Sequence, residues 1–385
     1  MDAATPAPSC GLRVSQGACW VMFAFDVGFA IDLDAAERTA ARVAGAEGTQ
    51  REVLRHSRKS PRSFVYRPSP LRVARRGRRI TIAGHACEES VNATIYDFGA
   101  VSIAYSFATQ GELGALVALS EALYENEELL ADARGHAEGL LAMLGPAVSR
   151  PGLTPLFEDY VVFHARRFER EPGASLAAWL DGARDPLAQI LRSESRPLSR
   201  QERDEATGAV VAYGEDDVAI VDWNSALLLG EDMDDALAVL EFANVELLEM
   251  RFLDDRLDQA LERARHAAAR KPAGWFQRGD SASLREIAEL QVGNALLFEE
   301  VNNTLKLLGD QYLARLYRAA LQRFHLPDWD ASILRKLGTL ESIYEKLNDR
   351  HTHRRMEALE WIVIVLIAFE VFAAWLWPMV QRAMG

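Results

Sequence analysis

The stretch that decides the fold is Trp361–Met379, WIVIVLIAFEVFAAWLWPM, near the end of a chain of 385 residues. It contains one charged residue, Glu370, and one proline, Pro378. A helix rises about 1.5 Å per residue, so about 20 apolar residues span a hydrocarbon core of roughly 30 Å. A buried core helix of this length would show a polar stripe, and this stretch shows none. The sequence therefore predicts a transmembrane helix over residues 356–381.

The residues that flank this stretch predict its orientation. Only Arg382 follows it, whereas five basic or histidine residues precede it: Arg350, His351, His353, Arg354 and Arg355. The side of a membrane span that is rich in Lys and Arg usually stays in the cytoplasm. We therefore expect a single-pass protein of the bacterial inner (cytoplasmic) membrane, with residues 1–355 in the cytoplasm. The expected interface residues at this end are Arg354, Arg355, Trp361 and Trp377, because indoles and cationic side chains favour the headgroup region.

The amino-acid composition and net charge limit the classes of protein to which this chain can belong. Hydrophobic residues make up 49% of the chain, which is enough for a packed core, and the net charge is −13. An acidic balance argues against a general nucleic-acid binder. Cys10, Cys19 and Cys87 form no CxxC pair, which suits buried thiols in a reducing compartment.

The first half of the chain alternates strand-like and helix-like stretches, which predicts an α+β sheet domain with helices on one face. Val91, Ala93 and Ile95 share one face of a strand, and Gly99 ends it. Asp32 or Asp34 is a plausible helix N-cap. The predicted parts are a flexible N-terminus over 1–17, a sheet domain over 18–170 with a basic loop at 51–79, connecting helices and a short strand over 171–232, a long-helix bundle over 233–355, and the transmembrane helix.

The second half predicts long helices in a coiled coil. Ile333, Leu337, Leu340, Tyr344 and Leu347 recur in a 4-3-4-3 pattern. Short turns make neighbouring helices antiparallel, so the turn 271–280 would lie at the membrane end of the bundle.

That turn carries two aromatic residues between basic ones. Trp275 and Phe276 are therefore either at the membrane interface or part of an ordinary turn. The complete fold prediction is an α+β protein: an N-terminal mixed α/β sheet domain, then a long antiparallel helical hairpin or coiled coil that ends in one transmembrane helix.

Three stretches carry a resemblance to a known family. They are Ala93–Ser102, Leu247–Leu257 and the run from Arg350 to Val371. In this order and spacing the chain resembles the YagE / required-for-meiotic-nuclear-division family, a domain of unknown function, in a bacterial member. The resemblance implies an α+β N-terminal part, a helical C-terminal part with a terminal membrane anchor, a homo-oligomer and a link to translation. It implies no catalytic residue.

The sequence lacks the common catalytic and ligand-binding motifs. It contains no GxxxxGK[ST], GxGxxG, HExxH or GxSxG. His85, Cys87 and Glu88 lack the PCxxC partner of a zinc deaminase and are better explained by a hairpin. Asp254 and Asp255 are more typical of a paired or solvated helix face than of a carboxylate site. We expect no catalytic residue, no metal, no cofactor and no identified small-molecule substrate.

The basic stretch is the candidate binding site. Residues 51–80 hold eleven basic residues against one acidic residue. The candidate contacts are Arg72, Arg75, Arg76, Arg78 and Arg79. They could bind RNA or a ribosomal surface through phosphates, lie on anionic lipid headgroups, or form a solvated loop that balances an acidic body.

Glu370 predicts assembly within the membrane. A carboxyl at mid-bilayer depth is costly unless it is protonated, paired or turned inward, and Ala373 and Ala374 would let a second helix approach. We therefore expect a homo-oligomer with these three residues at its interface.

Two function classes follow. The first is a non-enzymatic, membrane-tethered scaffold that assembles through its helices. The alternative is an enzyme with an unrecognised site in the sheet domain, which predicts perturbed carboxylates that converge on a pocket.

Overall fold

The computed structural model describes residues 13–47, 69–169, 175–269, 311–343 and 346. The chain divides into two compact units, one of Met1–Phe252 with Leu297–Asp330 and one of Leu253–Leu296 with Ala331–Gly385. We call them the sheet unit and the helical unit.

The sheet unit alternates strands and helices. The strands are β1 (Arg13–Asp26), β2 (Ala30–Ile31), β3 (Leu71–Arg76), β4 (Thr81–Ile82), β5 (His85–Ala86), β6 (Ser90–Ile95), β7 (Ala100–Glu112), β8 (Val148–Ser149), β9 (Phe157–Glu169), β10 (Val210–Ala212), β11 (Val218–Val221) and β12 (Ser225–Leu229). The helices are α1 (Leu33–Glu47), α2 (Leu113–Leu123), α3 (Glu127–Leu144), α4 (Leu176–Gly182), α5 (Arg184–Arg192), α6 (Arg200–Ala206), α7 (Asp234–Ala269), which continues into the helical unit, and α8 (Gln311–Arg323).

Eight strands form one mixed sheet in the order β10-β11-β12-β9-β1-β7-β6-β3. All neighbours are antiparallel except β12 and β9, which are parallel. β1 lies at the centre and begins at Arg13, inside the stretch that was expected to be flexible. Gly99 fits its tight turn because its φ is +102° and a Cβ there would lie 1.9 Å from the carbonyl oxygen of Gly28.

The strand period of two sorts the side chains of each strand onto opposite faces. On β1, Cys19, Val21, Phe23 and Phe25 enter the main apolar core, where they pack with residues of α2 and α3. Val91, Ala93 and Ile95 of β6 enter the same core, which confirms the predicted face. Each fully buried Leu or Phe contributes about 2 kcal/mol by leaving water, so this face dominates the packing energy.

Side-chain caps fix where several helices begin. Asp32, Asn126, Ser175 and Ser199 each accept a hydrogen bond from the backbone N–H three residues later. A cap of this kind is worth about 1 kcal/mol because it satisfies an N–H that the helix leaves free. The predicted cap at Asp32 is confirmed.

Helices cover the second face of the sheet as well, so the expectation of helices on one face is wrong. Phe242 of α7 stacks on Tyr96, with ring centroids 6.0 Å apart. Phe324, which follows α8, meets Tyr160 edge-on at 5.0 Å. The sheet is therefore the middle layer of the unit.

The helical unit contains the second half of α7 and residues 331–343 of a helix that begins at residue 326. Leu253, Leu257, Ala260 and Ala264 are buried at 4-3-4 spacing on α7, and Ile333, Leu337 and Leu340 are buried at 4-3 spacing on the other helix. Lys336 lies 2.7 Å from Asp254 and 2.6 Å from Asp258, so the two helices are neighbours. The described part of the predicted seam is confirmed as a buried helix face.

The membrane part of the predicted fold is corrected by the structure. Among the described residues, 13–47, 69–169, 175–269, 311–343 and 346, no helix combines the length and apolar character that a bilayer crossing requires. The predicted fold class is contradicted where it includes a transmembrane helix, and the single-pass inner-membrane location falls with it. Residues 356–381, on which that prediction was based, lie outside the described residues.

Candidate functional site

The predicted basic residues lie on β3 and on the turn that follows it. Four of the five have partners within the sheet unit. Arg72 lies 3.5 Å from Glu241, and Arg79 lies 2.6 Å from Glu89. Arg75 crosses α3 and donates to the carbonyl of His136. These contacts tie the edge strand of the sheet to the helices on both of its faces.

Arg78 is held by a buried carboxylate on α3. Its Nε lies 2.9 Å from Asp132, and its Nη2 lies 3.0 Å from the exposed Glu128. The hydroxyl of Tyr105 donates to the other oxygen of Asp132 at 2.8 Å, and His136 Nε2 lies 3.6 Å from that oxygen. Asp132 is thus the centre of a polar cluster that fixes the Arg78 guanidinium against α3.

The cluster contains no activated nucleophile. Burial raises the pKa of the Cys87 thiol to about 11 and also raises the pKa of Tyr105, so both keep their protons near neutral pH. Burial lowers the pKa of His136, the nearby Asp132 opposes this shift, and Arg75 adds to it. The arrangement is suited to holding an arginine in place rather than to transferring protons.

The depression beside this cluster has a volume of about 140 Å³. It lies between the turn before β4 and the start of α3, and its lining residues include Arg78, Arg79, Thr81, Asn126 and Glu128. The paired charges on its rim, Arg78 with Glu128, partly cancel. The predicted hairpin at His85 is confirmed, because β4 pairs with β5 across Ala83 and Gly84.

A second group of polar side chains lies between the sheet and α7. The register of five strands places Arg72, Thr94, Ser102, Ala24 and Glu158 side by side in one row. Neighbours in such a row have Cβ atoms about 5 Å apart. All of these side chains point toward α7, because Arg72 contacts Glu241 there and Glu158 pairs with Arg251.

Several buried polar atoms in and beside this row have no hydrogen-bond partner among the described residues. Ser102 Oγ, Glu241 Oε1 and Asn244 Oδ1 are buried without a hydrogen-bond partner among them. The amide nitrogen of Asn244 donates to the carbonyl of Glu158 at 3.4 Å. Burial raises the pKa of Glu158 to about 7, because Arg251 is 41% exposed and only partly offsets the loss of water around the carboxylate.

Two further buried carboxylates hold α5 and α8. Asp222, with its side chain fully buried, lies 2.8 Å from Arg192 Nε and 3.9 Å from Arg323. Burial raises the pKa of Asp222 against the effect of these two arginines. Glu246 accepts a hydrogen bond from Tyr317, and burial raises its pKa to about 8.

We call the buried and partly buried polar residues between the sheet and the helices α7 and α8 the polar layer. Its members include Arg72, Thr94, Ser102, Glu158, Asp222, Glu241, Asn244, Glu246, Arg251, Tyr317 and Arg323. The sequence prediction identified only Arg72 among them. A signal was present, because Glu158, Asp222, Glu241, Asn244 and Glu246 interrupt otherwise apolar stretches.

The remaining predicted site residues lie outside the described residues. They are Trp275, Phe276, Arg354, Arg355, Trp361, Glu370, Ala373, Ala374 and Trp377.

Arg76 lies near enough to Glu89 to lower the pKa of that carboxyl, although Arg79 has the larger effect. Asp254 forms an ion pair with Lys336, and Asp255 accepts a hydrogen bond from Gln259. The predicted paired face is therefore confirmed. Cys19 and Cys87 are buried and free, as expected.

The fold and these contacts define an α+β domain with a mixed sheet between an apolar core and a charged helix layer. The chain belongs to the family described as "Uncharacterized protein MJ0711, N-terminal domain", whose model matches residues 16–235. The match covers β1 through most of the sheet unit and the start of α7.

A relative from Methanocaldococcus jannaschii, "Uncharacterized protein MJ0711", is 23% identical over 190 residues. The alignment covers 49% of this chain and 58% of the relative, so this chain spans less than two thirds of the relative's length. No solved structure matches the chain. The resemblance to the YagE family stays a prediction.

Proposed function

We propose that this protein is a non-enzymatic scaffold, in which the sheet unit is a rigid platform and the helical unit mediates assembly with further copies. The observation that carries this proposal is that, within the described residues, the perturbed carboxylates lie apart from the depression beside α3. Glu158, Asp222 and Glu246 are each bonded within the chain, and the 140 Å³ depression is lined by other residues. An active site usually gathers perturbed groups around one pocket.

The energetics of the polar layer fit a structural role. A buried ion pair rarely adds net stability over apolar packing, but removal of one partner leaves a charge without compensation. Such pairs favour one arrangement of the helices over alternatives. A helix layer fixed by Arg72, Arg251 and Arg323 would give a platform a defined shape.

The helical unit supplies the assembly element of the proposal. In the described part of this unit, α7 and the helix over 326–343 bury one seam, and Leu334 is 50% exposed on the second of these helices. An exposed leucine on a helix of this unit could pack against another copy of the chain. The homo-oligomer implied by the YagE resemblance points in the same direction.

Light scattering coupled to size exclusion tests this proposal on the full chain. A mild detergent is included because residues 361–379 are apolar. We expect a defined multiple of the 42.8 kDa chain mass, and a smaller species for Leu334→Asp. Thr339→Asp, which adds the same charge to a different side of that helix, should assemble like the parent.

A single-chain mass at all concentrations would refute the scaffold, and so would a Leu334→Asp species of unchanged mass. The enzyme alternative has its own readout. Hydrolysis of nitrophenyl ester or phosphate probes that is lost in Glu158→Gln would favour the enzyme over the scaffold.

RNA and anionic lipid headgroups stay predicted partners of the arginines. The pairing of Arg72, Arg78 and Arg79 with carboxylates leaves less free charge for phosphates than the sequence alone suggested. Filter binding to RNA, compared with sedimentation on anionic liposomes, would test both for the Arg75, Arg76, Arg78, Arg79 to Ala variant.

A further inference from the structure

Four aromatic side chains are exposed among the described residues of the sheet unit, and two of them have other rings or cations against them. Arg150 lies over the ring of Phe29 at 5.2 Å, and Tyr213 meets Tyr312 edge-on at 5.7 Å. The other two are Tyr124, 44% exposed, and Trp223, 46% exposed. In the described part of the chain, no arginine, lysine or aromatic ring is stacked on either of these two.

The turn that carries Trp223 is rigidly anchored on both sides. Before it, Asp222 is bound through its carboxylate to Arg192 and through its carbonyl to the hydroxyl of Tyr160. After it, Asn224 donates to Ser193 at 3.1 Å. An exposed indole on a fixed turn loses little conformational entropy on binding, which is typical of an interface anchor.

The turn that carries Tyr124 is joined to the Trp223 turn by hydrogen bonds. The backbone N–H of Tyr124 donates to the carbonyl of Ser120, one helical turn earlier. The hydroxyls of Ser120 and Ser193 are 2.9 Å apart, and Ser193 also receives the bond from Asn224. Asp159, which acts on the Tyr124 hydroxyl, lies on β9 two residues before Val161, whose N–H donates to the carbonyl of Asn224 at 3.4 Å, so the two turns lie near each other.

The charges on this surface are mainly negative. Glu121 and Glu125 are exposed on either side of Tyr124, and Asp159 is close enough to Tyr124 to help raise the pKa of its hydroxyl, after burial and Glu125. The basic Arg196 nearby is already bonded to Glu194. Glu121 accepts a hydrogen bond from the Ser195 hydroxyl at 3.1 Å but forms no ion pair with a described residue, so a guanidinium or ammonium group would find both an aromatic face and a carboxylate without a cationic partner here.

We propose that this aromatic-acidic surface, formed by Tyr124, Trp223, Glu121, Glu125 and Asp159, binds an extended segment of a partner protein that carries arginine or lysine side chains. A cation over an indole or phenol face gains energy from the ring quadrupole, and a carboxylate at the edge adds a charge-assisted hydrogen bond. All five residues belong to the sheet unit, so the inference does not depend on the proposed assembly.

Fluorescence anisotropy of a labelled arginine–glycine repeat peptide tests the inference with the full chain. We expect binding that weakens with salt, because exposed charges are screened. Trp223→Ala and Tyr124→Ala should each weaken binding about tenfold, as truncation of an anchor aromatic does. Both side chains are exposed, so both variants should retain the parent's thermal unfolding temperature.

Tyr213→Ala is the matched control, because this side chain is 49% exposed but lies elsewhere in the sheet unit. It should bind the peptide like the parent chain, and a glutamate–glycine peptide should not bind. The inference is overturned if the parent chain does not bind the arginine peptide at low salt. It is also overturned if Trp223→Ala and Tyr124→Ala bind it as tightly as Tyr213→Ala.

Discussion

Glu246 gives the stability of this protein a defined pH dependence. The carboxyl is buried between α7 and α8, and its hydrogen-bond partner is the neutral hydroxyl of Tyr317. Burial raises its pKa from 4.5 to about 8, and the bond from Tyr317 opposes that shift only in part. The folded chain therefore holds a proton that the unfolded chain has released between these two pH values.

The sign of the effect follows from proton linkage. Between pH 4.5 and about pH 8 the folded state binds more protons at Glu246 than the unfolded state does, so stability falls as pH rises through this window. Within this window, each unit of pH lowers the free energy of unfolding by about 1.4 kcal/mol. At pH 7 the cost is about 3 kcal/mol, and at pH 5 it is less than about 1 kcal/mol.

Glu246→Gln should remove this cost, because glutamine has the shape of the protonated acid and can still accept the bond from Tyr317. We expect the variant to unfold about 6–12 °C above the parent at pH 7, since about 1 kcal/mol shifts the midpoint of a domain of this size by roughly 2–4 °C. At pH 5 the two midpoints should nearly coincide. Thermal unfolding followed by tryptophan fluorescence measures both.

Glu262→Gln is the control on the same helix, because Glu262 is 52% exposed and should show no such pH-dependent gain. Glu158, whose pKa is raised to about 7, changes stability in the same direction in both proteins and cancels in the difference. An equal midpoint difference at pH 5 and pH 7 would refute the reasoning, as would a Glu246→Gln variant that is less stable at both.

Two further predictions concern α3 and the buried ion pair. Gly135→Ala should stabilise the chain by about 1 kcal/mol through helix propensity, whereas Gly139→Ala should gain less, because its Cβ would lie 3.0 Å from the Arg75 guanidinium; urea unfolding of the two variants measures the difference. Asp222→Ala should destabilise the sheet unit by about 3–5 kcal/mol, because it leaves Arg192 buried without its closest carboxylate; its unfolding midpoint against that of the parent is the measurement.

The outcomes that would contradict these two predictions are specific. Equal gains at both glycines would mean that Arg75 moves aside without cost. Asp204→Ala removes a carboxylate from an exposed pair and should cost at most about 1 kcal/mol. If Asp222→Ala costs no more than this control, the buried pair has no structural role.

Local patterns predicted local structure in this chain. The cap at Asp32, the hairpin at His85 and the apolar face of β6 follow from short-range physics, and the structure confirms them. Such features depend on residues a few positions apart. The sequence therefore contains enough information to place them.

Long-range pairings were not predictable in the same way. Nothing local to β9 indicates that it pairs in parallel with β12, or that α7 covers the second face of the sheet. The transmembrane helix was predicted from the apolar character of one stretch, and the described residues contain no spanning helix. Apolar length alone therefore gave the wrong fold class.

The arginines show why charge counts mislead about binding. In the sequence, residues 51–80 form a strongly basic block, because their acidic partners are far along the chain. In the fold, Arg78 meets Asp132 and Arg72 meets Glu241, which is 169 residues away. A stretch rich in basic residues can thus form ion pairs with acidic residues elsewhere in its own chain. Free surface charge has to be counted after the fold has paired these groups, and Arg72, Arg78 and Arg79 each have a carboxylate partner among the described residues.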